Sequence, residues 1–482
     1  MKKAMIMIIC ILLFFSIFIV FLPTGICPGT VDVSSGKTLY VGGSLPENYT
    51  KIQDAVDNAS DGDTVFVYNG TYYENVVVYK TVNLIGENKE TTIIDGNGSE
   101  SVVFINADNV TINGFSIINS GNSTYDAGVT IYSNHNNISE INIQNNRWGI
   151  YLFDCSDNDI FLNSIFNNSY SGILSEHTSN NTVTQNFIWN NPNGGITVFS
   201  GSHDFFSFNH IQNGISFWED SNNSTLSLNY IYDSSYYGIQ IESGSNITIN
   251  SNQIFNNSFG GIQIGSFSES NNISSNTIYE NNYDGIYITH SSNNSIFSNN
   301  VHDNSNSGIG LGGASKNIVI LNDIYNNYKN GIYLLIESDN NTITGNTISN
   351  NSYYGILIQA IGQRKPSNNI VYNNNFNNSN NSMDNGNMNI WNISKIIGVN
   401  IMNGPYIGGN YWSDYNGTDN DSDGIGDNPY NILGGNSQDT YPLMKIDGKR
   451  VESTTTKTPG FELILVVCAI ALVLLWKRKR IN

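Results

Sequence analysis

The residues best suited to chemistry form one short acidic stretch, DNDSDGIGD, at positions 419–427. Carboxylates alternate along it, with a glycine at the sixth position and a backbone carbonyl available at the seventh. Hard oxygen ligands in this order are what a calcium loop requires. The stretch departs from an EF-hand because Tyr430 stands where a bidentate glutamate belongs. We predict a structural calcium site, with a solvated acidic turn as the alternative, and its ligands would be Asp419, Asp421, Asp423, the carbonyl of Ile425, and Asp427.

A second possible chemistry is acid and base catalysis by carboxylates. Glu219 and Glu242 lie in adjacent units of a repeat described below. Two carboxylates about 5 Å apart can serve a retaining glycosidase. Acidic residues on outward turns are more often simply solvated, and neither glutamate has an evident set of supporting polar residues. We therefore predict no catalytic residues, and the alternative is a glycosidase that uses this pair.

The charge balance restricts the possible partners. The chain has 40 acidic and 20 basic residues, and six of the basic residues lie at its two ends. The body between the ends should therefore repel nucleic acids and acidic polysaccharides, and we predict no nucleic-acid partner. Lyase chemistry on acidic sugars needs a cationic base and clamp. The body offers only scattered basic residues for that purpose, which argues against a lyase.

A repeat of 23 or 24 residues organises most of the chain. Each unit contains a glycine followed by an apolar residue, and then two apolar residues five positions apart, such as Ile273 and Ile278. Three short strands per unit with a constant period predict an all-β fold, a right-handed parallel β-helix solenoid. The repeat glycines are Gly128, Gly149, Gly172, Gly195, Gly214, Gly238, Gly261, Gly285, Gly308, Gly331 and Gly355.

Asparagines recur with the same period. We predict that one row forms a hydrogen-bonded ladder at an inward turn, where asparagine tolerates left-handed backbone angles, and that the repeat glycines permit a tight bend. The ladder would contain Asn163, Asn186, Asn209, Asn229, Asn252, Asn276, Asn299, Asn322, Asn346 and Asn374. A second, less perfect row contains Asn145, Asn167, Asn190, Asn213, Asn256, Asn326 and Asn350.

Aromatic residues stand two positions before several of the repeat glycines. Residues at equivalent positions of successive coils lie above one another, so these rings should form a partial stack along one edge. Beside Trp218 such rings could hold sugars, although stacked aromatics more often only stabilise the coil. The residues of this aromatic row are Tyr170, Tyr236, Phe259, Tyr283 and Tyr353.

The start of the body differs from the repeats. Ile52, Ala55, Val56 and Ala59 have helical spacing, which predicts an amphipathic helix that covers the open end of the solenoid. This opening, the Gly-Ile and Asn-x-Ile repeats, and the tail GPYIGGNYWSDYNGTDNDSDGIGDNPY resemble NosD-like β-helix proteins, which share the carbohydrate-binding and sugar-hydrolase repeat and occur among archaeal surface proteins.

The resemblance covers about residues 38–445. It implies a pectate-lyase-like right-handed β-helix and leaves the activity open. NosD itself is associated with copper-site maturation, which would need clustered histidine, methionine or cysteine ligands. The six histidines are scattered over many repeats, so copper is not predicted.

Hydrophobic segments at both ends indicate export. We predict a signal peptide or N-terminal anchor at 1–27, an N-terminal cap with the first coils at 38–120, repeats at 121–400, and a C-terminal cap carrying the acidic loop at 401–445. A Thr-rich spacer at 446–458 precedes a tail at 459–482 that resembles the archaeal Pro-Gly-Phe sorting signal with a transmembrane segment. Basic residues at both ends place the body outside the cell. The chain is thus expected at the cell surface, anchored to the cytoplasmic membrane by its C-terminus.

These observations together predict a non-catalytic cell-surface protein with an envelope, adhesive or glycan-binding role. Its expected partners are cell-surface glycans, and its expected cofactor is structural calcium. Many Asn-x-Ser/Thr sequences, such as the one at Asn246, are compatible with glycosylation of an exported chain. The alternative remains a surface polysaccharide-degrading enzyme that uses Glu219 and Glu242.

Overall fold

The computed structural model describes residues 36–445, which form a parallel β-solenoid of about 15 turns. The predicted signal peptide, spacer and sorting tail therefore lie outside the described residues. Each complete turn contributes one strand to each of three parallel sheets, and these contain 15, 14 and 15 strands. The predicted fold of three short strands per repeat is confirmed.

In chain order the strands are β1 (Thr38–Val41), β2 (Thr64–Val67), β3 (Gly70–Tyr73), β4 (Val76–Val78), β5 (Asn83–Gly86), β6 (Thr92–Asp95), β7 (Val103–Ile105), β8 (Thr111–Asn113), β9 (Ser116–Ile118), β10 (Ala127–Ile131), β11 (Asn137–Ser139), β12 (Asn142–Gln144), β13 (Trp148–Phe153), β14 (Asp159–Phe161), β15 (Ser164–Phe166), β16 (Ser171–Glu176), β17 (Thr182–Thr184), β18 (Phe187–Trp189), β19 (Gly194–Phe199), β20 (Phe205–Ser207), β21 (His210–Gln212), β22 (Ile215–Trp218), β23 (Thr225–Ser227), β24 (Tyr230–Tyr232), β25 (Tyr237–Ile241), β26 (Thr248–Asn250), β27 (Gln253–Phe255), β28 (Gly260–Ile264), β29 (Asn272–Ser274), β30 (Thr277–Tyr279), β31 (Ile286–Thr289), β32 (Ser295–Phe297), β33 (Asn300–His302), β34 (Ile309–Gly312), β35 (Ile318–Ile320), β36 (Asp323–Tyr325), β37 (Ile332–Leu335), β38 (Thr342–Thr344), β39 (Thr347–Ser349), β40 (Ile356–Gln359), β41 (Ile370–Tyr372), β42 (Asn375–Asn377), β43 (Ser382–Asp384), β44 (Ile396–Ile397), β45 (Tyr406–Ile407), β46 (Tyr411–Trp412), β47 (Tyr430–Asn431) and β48 (Gln438–Asp439).

The three sheets are built from every third strand. Sheet 1 runs from β1 and β2 through β5 to β41, sheet 2 from β4 to β43, and sheet 3 from β3 through β42 to β46. Strand register places equivalent apolar residues above one another, as in Ile249, Ile273 and Ile296. These inward residues are fully buried, and side chains that alternate with them face outward. The core is therefore one continuous apolar column.

A short helix, α1 (Ile52–Asn58), packs against β1, β2 and β4 at the first turns. Ile52, Ala55 and Val56 are its buried residues, which confirms the predicted amphipathic helix. The carboxylate of Glu74 accepts the backbone N–H groups of Ile52 and Gln53 at 2.8 and 3.0 Å, so it satisfies donors that a helix start leaves free. Within residues 36–445 no helix has the length and hydropathy needed to cross a bilayer.

The predicted asparagine ladder is confirmed. Each member is buried, and after Asn163, whose oxygen accepts the backbone N–H of Ile141, each side-chain oxygen accepts both the backbone N–H and the amide group of the asparagine one coil earlier. Asn276, for example, accepts from Asn252 N at 2.9 Å and Nδ2 at 3.0 Å, and its own Nδ2 donates to Asn299 Oδ1 at 3.0 Å and to the carbonyl of Ile249 at 2.9 Å. The row continues beyond its predicted end, because Asn374 donates to Asn410.

The conformation predicted for this row is wrong. Left-handed backbone angles occur at the residue before each ladder asparagine, for example Ser275 with φ 56° and Leu321 with φ 57°. The second predicted row is displaced by one residue from the ladder that the structure contains. Most of its members, such as Asn167 with φ 54°, are exposed corner residues, and the buried ladder runs through the next residue in the chain. Asn213 is instead half-buried and is followed by Gly214. That second ladder includes Asn146, Asn168, Asn191, Asn257, Asn281, Asn304, Asn327, Asn351 and Asn378.

A third ladder, which sequence reasoning missed, follows the remaining corner. It includes Asn136, Asn158, Asn181, Asn271, Asn294, Asn317, Asn341, Asn369 and Asn389, with Asp204 in one coil. Most corners of the solenoid thus have the same sequence order, a residue with a left-handed backbone followed by a buried asparagine, and Ser224, Ser234 and Ile247 are among the exceptions.

The repeat glycines have a different role from the predicted tight bend. Among the eleven, only Gly214 has a positive φ, 76°. At Gly261 an added Cβ would collide with Ile278 Cγ2 and with the carbonyl oxygen of Gly285 in the next coil. The glycines are needed because the backbone there lies against the core isoleucine and the adjacent coil, so there is no room for any side chain.

We expect Asn276→Leu to lower the free energy of unfolding by about 1 to 3 kcal/mol for each buried polar partner left unsatisfied. Chemical denaturation of the exported chain measures this. Asn282→Leu is the matched control. Asn282 is exposed at the next corner of the same turn, and its side chain belongs to no ladder. Equal stability of the Asn276 variant and the wild type would contradict the ladder.

Asp204 interrupts the third ladder at a buried position. Its Oδ1 accepts from Asn181 N at 2.8 Å and Nδ2 at 3.2 Å, while the next coil supplies Ser224 in place of an asparagine oxygen. Burial raises the pKa of Asp204 to about 6, although the hydrogen bonds from Asn181 lower it. The folded state therefore binds a proton more tightly than the unfolded chain does, and the stability present below pH 4 declines as the pH rises through 6.

We expect Asp204→Asn to be more stable than the wild type at pH 8, by on the order of 2 kcal/mol, because a tenfold change in proton affinity is equivalent to about 1.4 kcal/mol. The asparagine amide would have Thr178 Oγ1 beside it as an acceptor. Denaturation at pH 4 should show no such gain. A difference between the two proteins that does not change with pH would contradict this assignment.

Candidate functional site

A wide hollow in the surface lies on the outer face of sheet 2, across the turns that contain β31, β34, β37 and β40. We call it the tyrosine groove, and its volume is about 740 Å³. Its rim carries three exposed tyrosines, Tyr283, Tyr328 and Tyr353, with 42%, 70% and 61% of their surfaces accessible. Its floor contains Asn306, Ser307, Asn330 and Tyr333, all of them buried, and Lys329 is the charged side chain of the lining.

A buried carboxylate, Asp284, organises the floor. Oδ1 of Asp284 accepts from Asn306 Nδ2 at 2.8 Å and from Ser307 N at 3.0 Å, and Oδ2 accepts from the Tyr333 hydroxyl at 2.6 Å. Burial raises the pKa of Asp284 to about 6, while Lys329 and the three hydrogen bonds oppose that rise. The same contacts raise the pKa of Tyr333, first through burial and then through the carboxylate.

Two amide oxygens of the floor have no partner among the described residues. Asn306 and Asn330 are each only 6% exposed, and both of their Oδ1 atoms are buried without a hydrogen bond. Their Nδ2 atoms are engaged, by Asp284 and by Ser307 Oγ respectively. A buried acceptor without a donor is costly, so the floor is suited to a ligand that brings hydroxyl or amide hydrogens.

Outward-facing glycines shape the groove. An added Cβ at Gly310 would collide with the ring of Tyr333, and one at Gly312 would lie 2.6 Å from the Tyr287 hydroxyl. The ring of Tyr333 therefore lies flat across the preceding turn, which allows its hydroxyl to reach Asp284 two turns away. The sequence does contain a sign of the groove. Gly310 and Gly312 place two glycines at outward positions of one strand, and glycine inside a strand often marks a close approach by a ligand or another group.

The predicted aromatic row is present in part. Tyr236 lies 5.0 Å from Phe259, and Phe259 lies 5.4 Å from Tyr283, measured between ring centres. This row leads from a smaller hollow of about 230 Å³, which contains Trp218 and Tyr236, to the rim of the tyrosine groove. Tyr170 instead packs on Trp148 at 5.0 Å and under the guanidinium of Arg147. Sequence reasoning thus found Tyr283 and Tyr353 but missed Asp284, Asn306, Asn330 and Tyr333.

Glu219 and Glu242 do not form a matched pair. The register of β22 and β25 aligns Phe217 with Ile241. Glu219 is two residues after Phe217, whereas Glu242 is one residue after Ile241, so the two glutamates are not at equivalent positions. Glu219 is an exposed corner residue with φ 54°. The carboxylate of Glu242 lies over Gly265 of the following turn, on the side away from Glu219. Across residues 36–445, neither carboxylate has a hydrogen-bond donor.

Three of the predicted calcium ligands come together. One carboxylate oxygen from each of Asp419, Asp421 and Asp423 lies within 4.8 Å of the others. The oxygens of Asp419 accept Asp423 N at 3.1 Å and Gly424 N at 2.8 Å, which curls the loop around the cluster. Asp423 also forms an ion pair with Lys395.

The other two predicted ligands have different surroundings. Oδ2 of Asp427 accepts from the backbone and side chain of Asn420 at 2.9 and 2.7 Å. Ile425 is buried and packs at the C-terminal end, where its backbone pairs with Leu443. The loop thus presents three convergent carboxylates, with Lys395 as a competing cation.

Comparisons with known families agree with this fold. Residues 236–417 match the family model described as periplasmic copper-binding protein (NosD), and residues 56–205 and 127–273 match the right-handed β-helix region. The side chains present do not fit copper. In the described part of the chain, the cluster of three aspartates is the one group of three or more His, Cys, Asp or Glu side chains close enough to share an ion, and hard carboxylates favour calcium or magnesium over copper.

A cell surface glycoprotein of Methanothermus fervidus is 40% identical over 87 residues, which are 17% of this chain and 14% of that protein. The chain thus matches only a small part of that relative's length. Among solved structures, the GH87 α-1,3-glucanase catalytic unit of Streptomyces thermodiastaticus strain HF3-3 has 15% identity over 76% of this chain and 71% of its own, with a TM-score of 0.45.

The A-module of the mannuronan C-5 epimerase AlgE6 of Azotobacter vinelandii has 18% identity over 70% of this chain and 92% of its own, with a TM-score of 0.36. The family matches together extend from residue 56 to residue 417. The same residues form the three parallel sheets of the solenoid. The chain is a NosD-like protein of the right-handed parallel β-helix type.

Proposed function

We propose that this protein is a non-catalytic glycan-binding protein of the cell surface and that the tyrosine groove is its binding site. The observation that carries the proposal is the combination of three exposed tyrosines with two unpartnered amide oxygens in one groove. Sugar rings present C–H faces that pack on aromatic rings and hydroxyl groups that donate to such oxygens. A groove of about 740 Å³ has the size of ordinary small-molecule sites and is large enough for a short oligosaccharide.

The surface location rests on the ends of the chain and on a relative. The apolar segments at 1–27 and 459–482 fit export and C-terminal anchoring to the cytoplasmic membrane, and both lie outside the described residues. The matched protein of Methanothermus fervidus is a cell surface glycoprotein. An acidic, solenoid-shaped body held outside the membrane offers an extended face to neighbouring glycans.

The alternative, a glycosidase, receives less support from the geometry. A retaining enzyme needs two carboxyl groups about 5 to 5.5 Å apart with environments that separate their roles. The carboxylate of Glu242 is directed away from the turn of Glu219, and neither residue lines the tyrosine groove.

Calcium is proposed as a structural ion of the C-terminal cap. Three carboxylates held within 4.8 Å repel one another unless a cation lies between them. Asp419 is already oriented by the backbone N–H groups of Asp423 and Gly424. The loop would then fasten residues 419–427 beside Leu443 at the end of the solenoid.

Screening the exported chain on a glycan array should give specific binding without turnover. Tyr353→Ala should weaken the affinity for the selected glycan about tenfold, because an aromatic face contributes roughly 1 to 1.5 kcal/mol. Tyr73→Ala is the control, since Tyr73 is also well exposed, 71% against 61% for Tyr353, and lies on a strand far from the groove. Glycan hydrolysis that Glu219→Gln abolishes would instead establish the enzyme, and an array without any binding would refute the proposal.

Removal of calcium by a chelator should lower the melting temperature of the protein, and added calcium should restore it. In Asp421→Ala the melting temperature should no longer respond to calcium, because two carboxylates remain where three converged. Asp220→Ala, which removes an exposed carboxylate outside the loop, should keep the full response. Identical melting of the wild type with and without the chelator would exclude a stabilising ion.

A further inference from the structure

The hydrogen bonds beneath the tyrosine groove determine which of its polar atoms face a ligand. An ionised carboxylate only accepts hydrogen bonds. Asn306 must therefore turn its NH₂ group toward Asp284 Oδ1, and this leaves Asn306 Oδ1 as the atom without a partner at the buried floor of the groove. The orientation of this amide follows from the chemistry of its partner.

The neighbouring turn carries a second amide oxygen without a partner, and there the amide contacts a serine hydroxyl instead of a carboxylate. Asp284 Oδ1 also holds the backbone N–H of Ser307, and Ser307 Oγ accepts from the backbone N and Nδ2 of Asn330 at 3.2 and 3.3 Å. The Asn330 amide thus also leaves its oxygen free. Tyr333 donates its hydroxyl hydrogen to Asp284 Oδ2, so the oxygen of that hydroxyl can offer only a lone pair.

We propose that Asp284 is a positioning residue that makes the floor of the tyrosine groove accept hydrogen bonds, so that the groove recognises a neutral saccharide through free hydroxyl groups that donate to Asn306 and Asn330. This inference rests on the proposed glycan-binding function. The two oxygens belong to successive turns of the solenoid, which are about 4.8 Å apart. Hydroxyl groups of one sugar unit, or of two linked units, can reach neighbouring turns of the solenoid.

The charged and titratable side chains around Asp284 are Lys329, Tyr237, Tyr283 and Tyr333. Lysine and tyrosine side chains do not ordinarily titrate between pH 5 and 8, whereas the pKa of Asp284 is about 6. Protonation below pH 6 converts one acceptor oxygen of Asp284 into a donor. One of its three partners then loses its acceptor, and the arrangement of free oxygens in the groove changes.

The test uses the full exported chain with maltotetraose, cellotetraose and mannotetraose, each free and per-O-methylated, by calorimetry at pH 8 and pH 5. The wild type should bind at least one free tetrasaccharide, lose binding to its methylated form, and bind about tenfold more weakly at pH 5. Asp284→Asn should be about tenfold weaker at pH 8 and should show no further loss at pH 5, because its amide can donate toward Asn306.

Asp204→Asn is the matched control, since Asp204 is another buried carboxylate whose pKa is raised to about 6 but lies outside the groove. It should keep the affinity and the pH profile of the wild type. A merely structural role of Asp284 would not separate the two variants in this way. If Asp284→Asn does not fold, Asn306→Ala removes one acceptor directly and should cost about tenfold in affinity.

The outcomes separate this inference from the proposed function. If the wild type binds none of the free tetrasaccharides at pH 8 and no glycan on the array, the proposed function itself is wrong. If the wild type binds but Asp284→Asn has the same affinity and pH profile, the role of Asp284 is overturned. If methylation does not weaken binding, recognition through free hydroxyl groups is overturned. In both cases the proposed glycan-binding function stands.

Discussion

The hydrogen bond from one asparagine amide to the next, one turn farther along, is the interaction on which the rest of the solenoid depends. At each corner the chain turns from one sheet to the next, and its buried polar groups have no water to satisfy them. The side-chain oxygen of a ladder asparagine accepts both donors of the previous turn, and its own NH₂ group bonds the next turn and an earlier carbonyl, as at Asn276. A corner is therefore complete only when the turn that follows is present and in register.

This dependence explains the constant period. A turn that gained or lost residues between two corners would move an asparagine away from its ladder and bury an unsatisfied amide. Insertions are tolerated where they leave the corners in place, as in the loop around Ile361 and Arg364. Glycine is required where the backbone touches the core isoleucine of a neighbouring turn, as at Gly261. The inward half of each repeat is thus determined by the neighbouring turns, and only the outward half is free to carry function.

The sequence predicted the inward half well, because burial and period act on residue types that can be counted. The fold, the capping helix and one ladder followed from the spacing of isoleucine, glycine and asparagine. The third ladder was missed because Asp204, Ser224 and Ile247 interrupt its period. The left-handed residues were misplaced by one, because asparagine is common both in exposed corners and in buried ladders. The groove could not be read from the period, since Asp284 reaches Tyr333 across 49 residues of sequence.

Departures from the repeat are therefore the most informative positions in this chain. Between residues 64 and 383, Asp204 and Asp284 are the buried carboxylates in coils that otherwise use neutral amides, and burial raises the pKa of each to about 6. Asp204 replaces a ladder member, where an asparagine would satisfy the same donors without a charge. Asp284 binds three groups from two later turns, and no neutral side chain of its size accepts all three. The first carboxylate is replaceable within the scaffold, whereas the second is required by the atoms it orients. Those atoms line a groove in which aromatic rings and unpartnered acceptor oxygens meet.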